Sequence, residues 1–190
     1  MNVLFLGDSL TKNWDPELWH RRLAPLGAVN WGVNGQNTPQ LLRRIQRGLL
    51  DNLAPRAIVL MIGINDVWPG YSPAVTARNI EAIVATIRQR SPLTKILLIG
   101  LLPAFDKHDP VRDWIRSVNA RIARLADGDS VSFLDIGALL LEEDGSLKPG
   151  YYSVDQVHLL RPAYQILTDA LEPLLRELLD NATNDPSTAG

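Results

Sequence analysis

The sequence predicts an α/β fold in which a five-stranded parallel sheet is covered by helices, and three observations carry that prediction. Short apolar runs at 2–6, 28–31, 57–62, 95–101 and 131–134 alternate with longer amphipathic stretches, the pattern of strands buried on both faces and joined by helical crossovers. The amphipathic stretches repeat their apolar residues at helical spacing. No Gly-x-Gly-x-x-Gly follows the first run and no Gly-x-x-x-x-Gly-Lys-Ser/Thr occurs, so a dinucleotide fold is disfavoured and the ordinary phosphate-cradling loop is absent.

Each element has its own justification. The first strand, Val3-Leu4-Phe5-Leu6, stops at Gly7, and Ser9 stands at the mouth of the next element. A break there exposes a hydroxyl at the carboxyl edge of the sheet, where open α/β folds place their chemistry. For an isolated Gly-Asp-Ser the ordinary reading is a helix N-cap or a tight turn. A weaker strand at 28–31 precedes a helix at 39–50, and the run at 57–62 is the clearest buried strand, ending at Gly63. Pro73 suits the first turn of a helix, whose buried face is Val75, Ile80, Ile83, Val84 and Ile87. The strand at 95–101 is closed by Pro103. A helix at 111–125 carries Trp114, Ile115, Val118, Ile122 and Leu125, and the last strand is 131–134. A polar connection leads to Asp155-Gln156-Val157-His158. The final helix, 162–179, packs through Leu167, Leu171, Leu174, Leu175 and Leu178. Residues 1–180 are read as one domain and the small polar residues 181–190 as a frayed tail.

Composition narrows the function classes. At 190 residues, one domain buries roughly 70% of its unfolded surface. Hydrophobic residues make up 46% and charged residues 21%, ordinary for a globular protein, and the net charge of -2 gives no reason to expect nucleic acid. Arg43, Arg44 and Arg47 fall in a helix and read as a solvated face. Cysteine is absent, which excludes disulfides and thiolate metal sites without fixing the compartment. No apolar stretch approaches 20 residues, so no membrane span is expected. Cytoplasm is the default location, although a removed signal peptide would leave no trace.

The chemistry-bearing residues fall at strand ends or just before the last helix. A serine hydroxyl needs a base within reach. His158 is the best of the three histidines, since His20 lies in an arginine-flanked helix and His108 in a charged loop. Asp155 lies three residues away, close enough to orient the imidazole and stabilise its cation. Asp144 and Asp135 are rival orienters whose spacing ties neither to His158. An oxyanion formed on attack needs donors already in place. The Ser9 and Gly35 backbone N–H groups and the Asn65 side-chain amide can converge on it. Asp8 and Asp66 read as caps and braces for their loops.

Together these residues resemble the GDSL or SGNH hydrolase family along nearly the full chain. Gly7-Asp8-Ser9-Leu10 matches the first block, Asn30-Trp31-Gly32-Val33-Asn34-Gly35 the second, Gly63-Ile64-Asn65-Asp66 the third and Asp155-Gln156-Val157-His158-Leu159 the last. The resemblance implies a flavodoxin-like three-layer α/β/α sandwich, a triad of Ser9, Asp155 and His158, and an oxyanion hole of Ser9, Gly35 and Asn65. Residues 98–103 with Arg112 and Asn119 look most like the intracellular platelet-activating-factor acetylhydrolase catalytic subunits and their bacterial relatives. Asn119 is read either as a loop anchor or as an ordinary helix polar residue. Gln156, Leu160 and Ala163 depart from the pattern where glycine, a small hydroxyl residue and glycine are common.

The implied activity is hydrolysis of short acyl, above all acetyl, esters through an acyl-serine intermediate, with no cofactor and no metal. Carbohydrate O-acetylesterase, lysophospholipase and thioesterase activities are alternatives within catalysis. A catalytically inactive ligand-binding protein is the non-enzyme alternative. Leu10, Trp14, Trp31 and Trp68 are candidate pocket residues, Trp19 and Trp114 packing residues, and a homo-oligomer is expected only by analogy.

Overall fold

The computed structural model describes residues 1–181; the expected tail, apart from the backbone of residue 181, lies outside them. Five parallel strands form one sheet: β1 (Val3–Gly7), β2 (Ala28–Asn30), β3 (Ala57–Met61), β4 (Lys95–Ile99) and β5 (Val131–Leu134). Their order across the sheet is β2-β1-β3-β4-β5. All residues of β1 and β3 are buried, as expected for central strands covered on both faces.

The helices are α1 (Ser9–Lys12), α2 (Pro16–Leu18), α3 (Thr38–Arg44), α4 (Pro73–Arg90), α5 (Pro110–Ile122) and α6 (Arg161–Asn181). α3, α4 and α5 pack in succession on one face. On the other, α6 packs against α2 and the π-helical turn Trp19–Leu23 that continues it. Among the described residues, no helix is long and apolar enough to cross a membrane.

The chain reverses its direction of travel across the sheet between β1 and β3. In such folds the crevice opens outside the carboxyl ends of the strands at that switch point, so the loops after β1, β2 and β3 share one edge. Several element ends differ from the expected ones, the strands at 28–31 and 57–62 each ending one residue early and the helix at 111–125 being α-helical over Pro110–Ile122. β1 runs through Gly7, which pairs with Met61. β4 stops at Ile99, and beyond it the Asn119 side chain accepts the Leu101 N–H and donates to its carbonyl. The helix expected at 39–50 turns π-helical at Ile45–Leu49 and is interrupted by Gly48 at φ 97°. Asn119 is thus a loop anchor.

Two buried acids brace the edge. The Asp8 carboxylate accepts the Leu10 N–H and caps α1. Asp66, fully buried, accepts the Thr38 N–H at 2.9 Å, the Thr38 hydroxyl at 2.5 Å and the Thr76 hydroxyl at 2.8 Å. It thereby joins the starts of α3 and α4 to the loop after β3.

Gly7 has no substitute for a steric reason. A Cβ there would lie 2.2 Å from both the Met61 carbonyl oxygen and the Thr11 hydroxyl. One of these is backbone of the paired strand and cannot yield without disturbing the sheet. Gly7→Ala is expected to destabilise the fold by about 3 kcal/mol, the upper end for overpacking, read as a fall in the urea midpoint.

Candidate active site

Ser9 opens α1, 8% exposed, with its Oγ 2.8 Å from Nε2 of His158. His158 Nδ1 lies 2.6 Å from Asp155 Oδ2. These distances place a hydroxyl, an imidazole and a carboxylate in one hydrogen-bonded line, the arrangement that a nucleophile, its base and an orienting acid require. The Asp155–His158 turn is pinned from within. Asp155 Oδ1 accepts the backbone N–H of Val157 at 3.0 Å and of His158 at 2.9 Å, and the Ser153 hydroxyl at 2.6 Å. Desolvation raises the Asp155 pKa, but these hydrogen bonds and the one to His158 outweigh it and hold the carboxyl well below the usual range. An ionised Asp155 accepts from Nδ1–H, which leaves Nε2 free to take the serine proton.

Serine and histidine arrive from opposite ends of the chain and are held by side-chain ties from α6 to α1 and to the residues just after it. The Tyr164 hydroxyl donates to the Leu10 carbonyl at 2.8 Å, and Trp14 Nε1 donates to the Thr168 hydroxyl at 3.1 Å. Trp14 also packs edge-on against Phe5 with ring centroids 5.5 Å apart. These contacts correct two expected pocket residues, since Leu10 and Trp14 are both 4% exposed and belong to the core. Trp31 is half-buried against that core and does not line the cleft.

The cleft, about 470 Å³, is lined by Ser9, Gly35, Asn65 and His158, and walled by Trp68 and Phe105. Trp68 is 62% exposed, with its ring 6.1 Å from that of Phe105. Asn65 sits in a 3-10 turn, Ile64–Asp66, directly after β3, and its Nδ2 donates to the Gln36 carbonyl at 3.1 Å. Gly35 adopts φ 69°. A Cβ there would meet nothing within 4 Å, so it is the backbone angle, not crowding, that calls for glycine. Among the described residues, the Ser9 and Gly35 N–H groups donate to no protein acceptor. Both remain available to an oxyanion.

Other candidates lie elsewhere. His20 and His108 are exposed. Asp144 pairs with Lys107, and Asp135 accepts the Gly137 N–H. Trp19 stacks edge-on against Phe5, and the Trp114 indole donates to the Tyr71 carbonyl. Among the described residues, no group of three His, Asp or Glu side chains is gathered to hold a metal. Sequence reasoning missed Phe105 and Gln36. Phe105 follows β4 at the same carboxyl edge, a position that could have drawn notice; Gln36 carried no comparable signal.

The chain matches the GDSL-like lipase/acylhydrolase family over residues 5–166. It belongs to that family. It is 32% identical to platelet-activating factor acetylhydrolase IB subunit alpha2 of Gallus gallus, over 99% of this chain and 82% of that protein. It is also 32% identical to the human alpha1 subunit, over 93% of this chain and 76% of that protein. A GDSL-like lipase from Bacteroides thetaiotaomicron superposes with a TM-score of 0.76 at 26% identity, covering 92% of this chain and 87% of the other. The protein is a serine ester hydrolase of the GDSL type.

Two local features depart from ordinary GDSL sequences or ordinary carboxylates. Gln156, where the family commonly has glycine, holds φ 59°, and its carbonyl accepts the N–H of Phe105, itself at φ 63°. Gln156→Gly is expected to stabilise the fold by about 1 kcal/mol through relief of the left-handed strain, read as a rise in the urea midpoint. Burial pushes the Asp8 carboxyl up to about 7, against the Leu10 N–H and the neighbouring His158, with Asp66 adding to the rise.

Because the folded pKa of Asp8 exceeds its unfolded value, the native chain keeps a proton that the unfolded chain loses between about pH 4 and 7. This group's contribution to stability therefore falls as pH rises through that window. Asp8→Asn keeps a capping oxygen and is expected to raise stability at pH 8, by up to about 4 kcal/mol, with a smaller gain at pH 4. Urea denaturation of both proteins at the two pH values checks this.

Proposed function

We propose that Ser9 is the nucleophile, His158 the general base and acid, and Asp155 the group that orients and stabilises the imidazole. The observation that carries this reading is the unbroken line from Ser9 Oγ through His158 Nε2 and Nδ1 to Asp155 Oδ2, at 2.8 and 2.6 Å. His158 takes the serine proton as Oγ attacks the ester carbonyl. The Ser9 and Gly35 N–H groups and Asn65 Nδ2 receive the oxyanion. Collapse expels the alcohol, protonated by His158. Water, deprotonated in turn by His158, then releases the acid and restores Ser9.

The substrates proposed are short acyl esters, acetyl esters first. Two observations support this: the 32% identity to acetylhydrolase subunits over nearly the whole chain, and a cleft of about 470 Å³ floored by the nucleophile and walled by Trp68 and Phe105. The exposed Trp68 ring also offers a flat face of the kind that sugars stack on, which keeps acetylated carbohydrate as a second substrate class.

Initial rates on p-nitrophenyl acetate, butyrate, octanoate and palmitate test the proposal, with Ser9→Ala in parallel. Ser9-dependent activity falling steeply beyond butyrate is expected; a maximum at octanoate or longer would overturn the short-acyl preference. Asn65→Ala is expected to lower kcat by about 10²–10³, equivalent to about 3–4 kcal/mol of oxyanion stabilisation. KM should change little, because the lost donor acts on the transition state.

A further inference from the structure

A second concavity of about 440 Å³ adjoins the cleft across Asn34 and Gly35, which line both. Its far wall is one face of α3 and the turn that continues it. Gln40, Arg43, Arg44 and Arg47 line it, and their three- and four-residue spacings place them on a common side of a helix. Among the described residues, none of these three arginines has a carboxylate partner that would neutralise it. Like charges at such spacings repel one another along a helix, offsetting what Arg43 and Arg44 gain from standing in the last turn of α3.

Arg44 differs from an ordinary surface arginine. Its guanidinium is half-buried, burial lowers its pKa, and its Nη1 donates to Gln36 Oε1 at 2.9 Å. Gln36 is 4% exposed, and its carbonyl accepts Asn65 Nδ2. A hydrogen-bonded chain therefore runs from the oxyanion amide of Asn65 through Gln36 to Arg44, fixing the cation relative to the reacting carbonyl. A desolvated guanidinium whose hydrogen-bond partner is a neutral amide gains most from an anion arriving with the ligand.

We propose that Arg43, Arg44 and Arg47 form a subsite for an anionic oxygen group, a phosphate or carboxylate, carried on the same molecule as the scissile ester. The preferred substrates are thus net-anionic esters. This rests on the Ser9 reading above. Among the described residues, no unpaired carboxylate lines either concavity to receive a cationic headgroup, since Asp155 is engaged by His158 and Ser153. Three guanidiniums match the near-double charge of a phosphate monoester better than a zwitterion.

The test compares kcat/KM on four acetyl esters: acetylglycerol, acetylglycerol 3-phosphate, acetylglycerate and acetylglycerophosphocholine. Wild type is set against an Arg43→Gln/Arg44→Gln/Arg47→Gln protein and against the double variant of the two exposed residues, Arg43 and Arg47, whose folding depends least on the changes. A preference for the phosphate ester over the neutral ester of about tenfold or more is expected, mostly in KM. It should shrink in the double variant, approach unity in the triple and weaken with added salt. Acetylglycerate hydrolysed as well as the phosphate ester also supports the subsite and assigns it to anionic oxygen in general. Equal rates on neutral and anionic esters, a preference that the triple variant retains, or a higher rate on the phosphocholine ester would overturn it. Calorimetric binding of acetylglycerol 3-phosphate to Ser9→Ala, with and without the three glutamines, reads the subsite without turnover. Binding that the glutamines abolish upholds the subsite even if hydrolysis fails, and equal binding by both proteins overturns it.

Discussion

A single hydrogen bond between residues 149 positions apart, Ser9 Oγ to His158 Nε2, sets the tolerance for the rest of the molecule. Neither residue is positioned by its own neighbourhood alone. Ser9 is placed by β1, whose central position between β2 and β3 leaves its carboxyl end at the switch point of the sheet. His158 is placed by the start of α6, three residues further on. An error of an ångström between the two would break this hydrogen bond and the proton transfer proposed to run through it. The tie must therefore be made by rigid elements: the Tyr164–Leu10 hydrogen bond joins α6 to α1, and the Trp14–Thr168 bond joins α6 to the segment just beyond α1. That is why two residues expected in the pocket lie instead in the core. The aromatic packing around Phe5 holds the catalytic geometry from behind.

The second constraint is electrostatic. Asp8 and Asp66 are buried beside the loops that carry Ser9 and Asn65, and buried carboxylates are costly unless their oxygens are satisfied. Asp66 meets the condition with three donors from α3 and α4. Asp8 has the Leu10 N–H and its own, and burial dominates its titration. The stability of the site is thus coupled to pH at a position that takes no proton from the substrate. The backbone strain at Phe105 and Gln156 is similar in kind. Two left-handed residues bonded to each other hold the cleft wall against the catalytic turn, as strained residues often do beside reacting groups.

Much of this was legible in the residues. Gly7, Ser9, Asn65, Asp155 and His158 stand at strand ends or immediately before a helix, and their chemistry is read from residue type and order. The strand β3 was visible because its continuous β-branched and aliphatic run has few other uses in a short segment. Element ends were less legible, since they depend on partners from afar. β4 ends at Ile99, and two residues on, Asn119 of α5 takes both backbone groups of Leu101; no local signal near Leu101 announces that. Pocket walls were the least legible. Trp14, Trp31 and Trp68 are alike as residues, and only packing distinguishes a core indole from one that lines a cleft.

The sequence by itself therefore determined the alternation of strands and helices, the groups proposed to react and the chemistry they are suited to. These follow from local periodicity and from functional groups that few other residues supply. Tertiary structure alone decided which aromatic rings face the cleft. It also decided that Gln36 connects Asn65 to Arg44. Each of these depends on distances between segments far apart in the chain, and spacing along the chain carries no record of them.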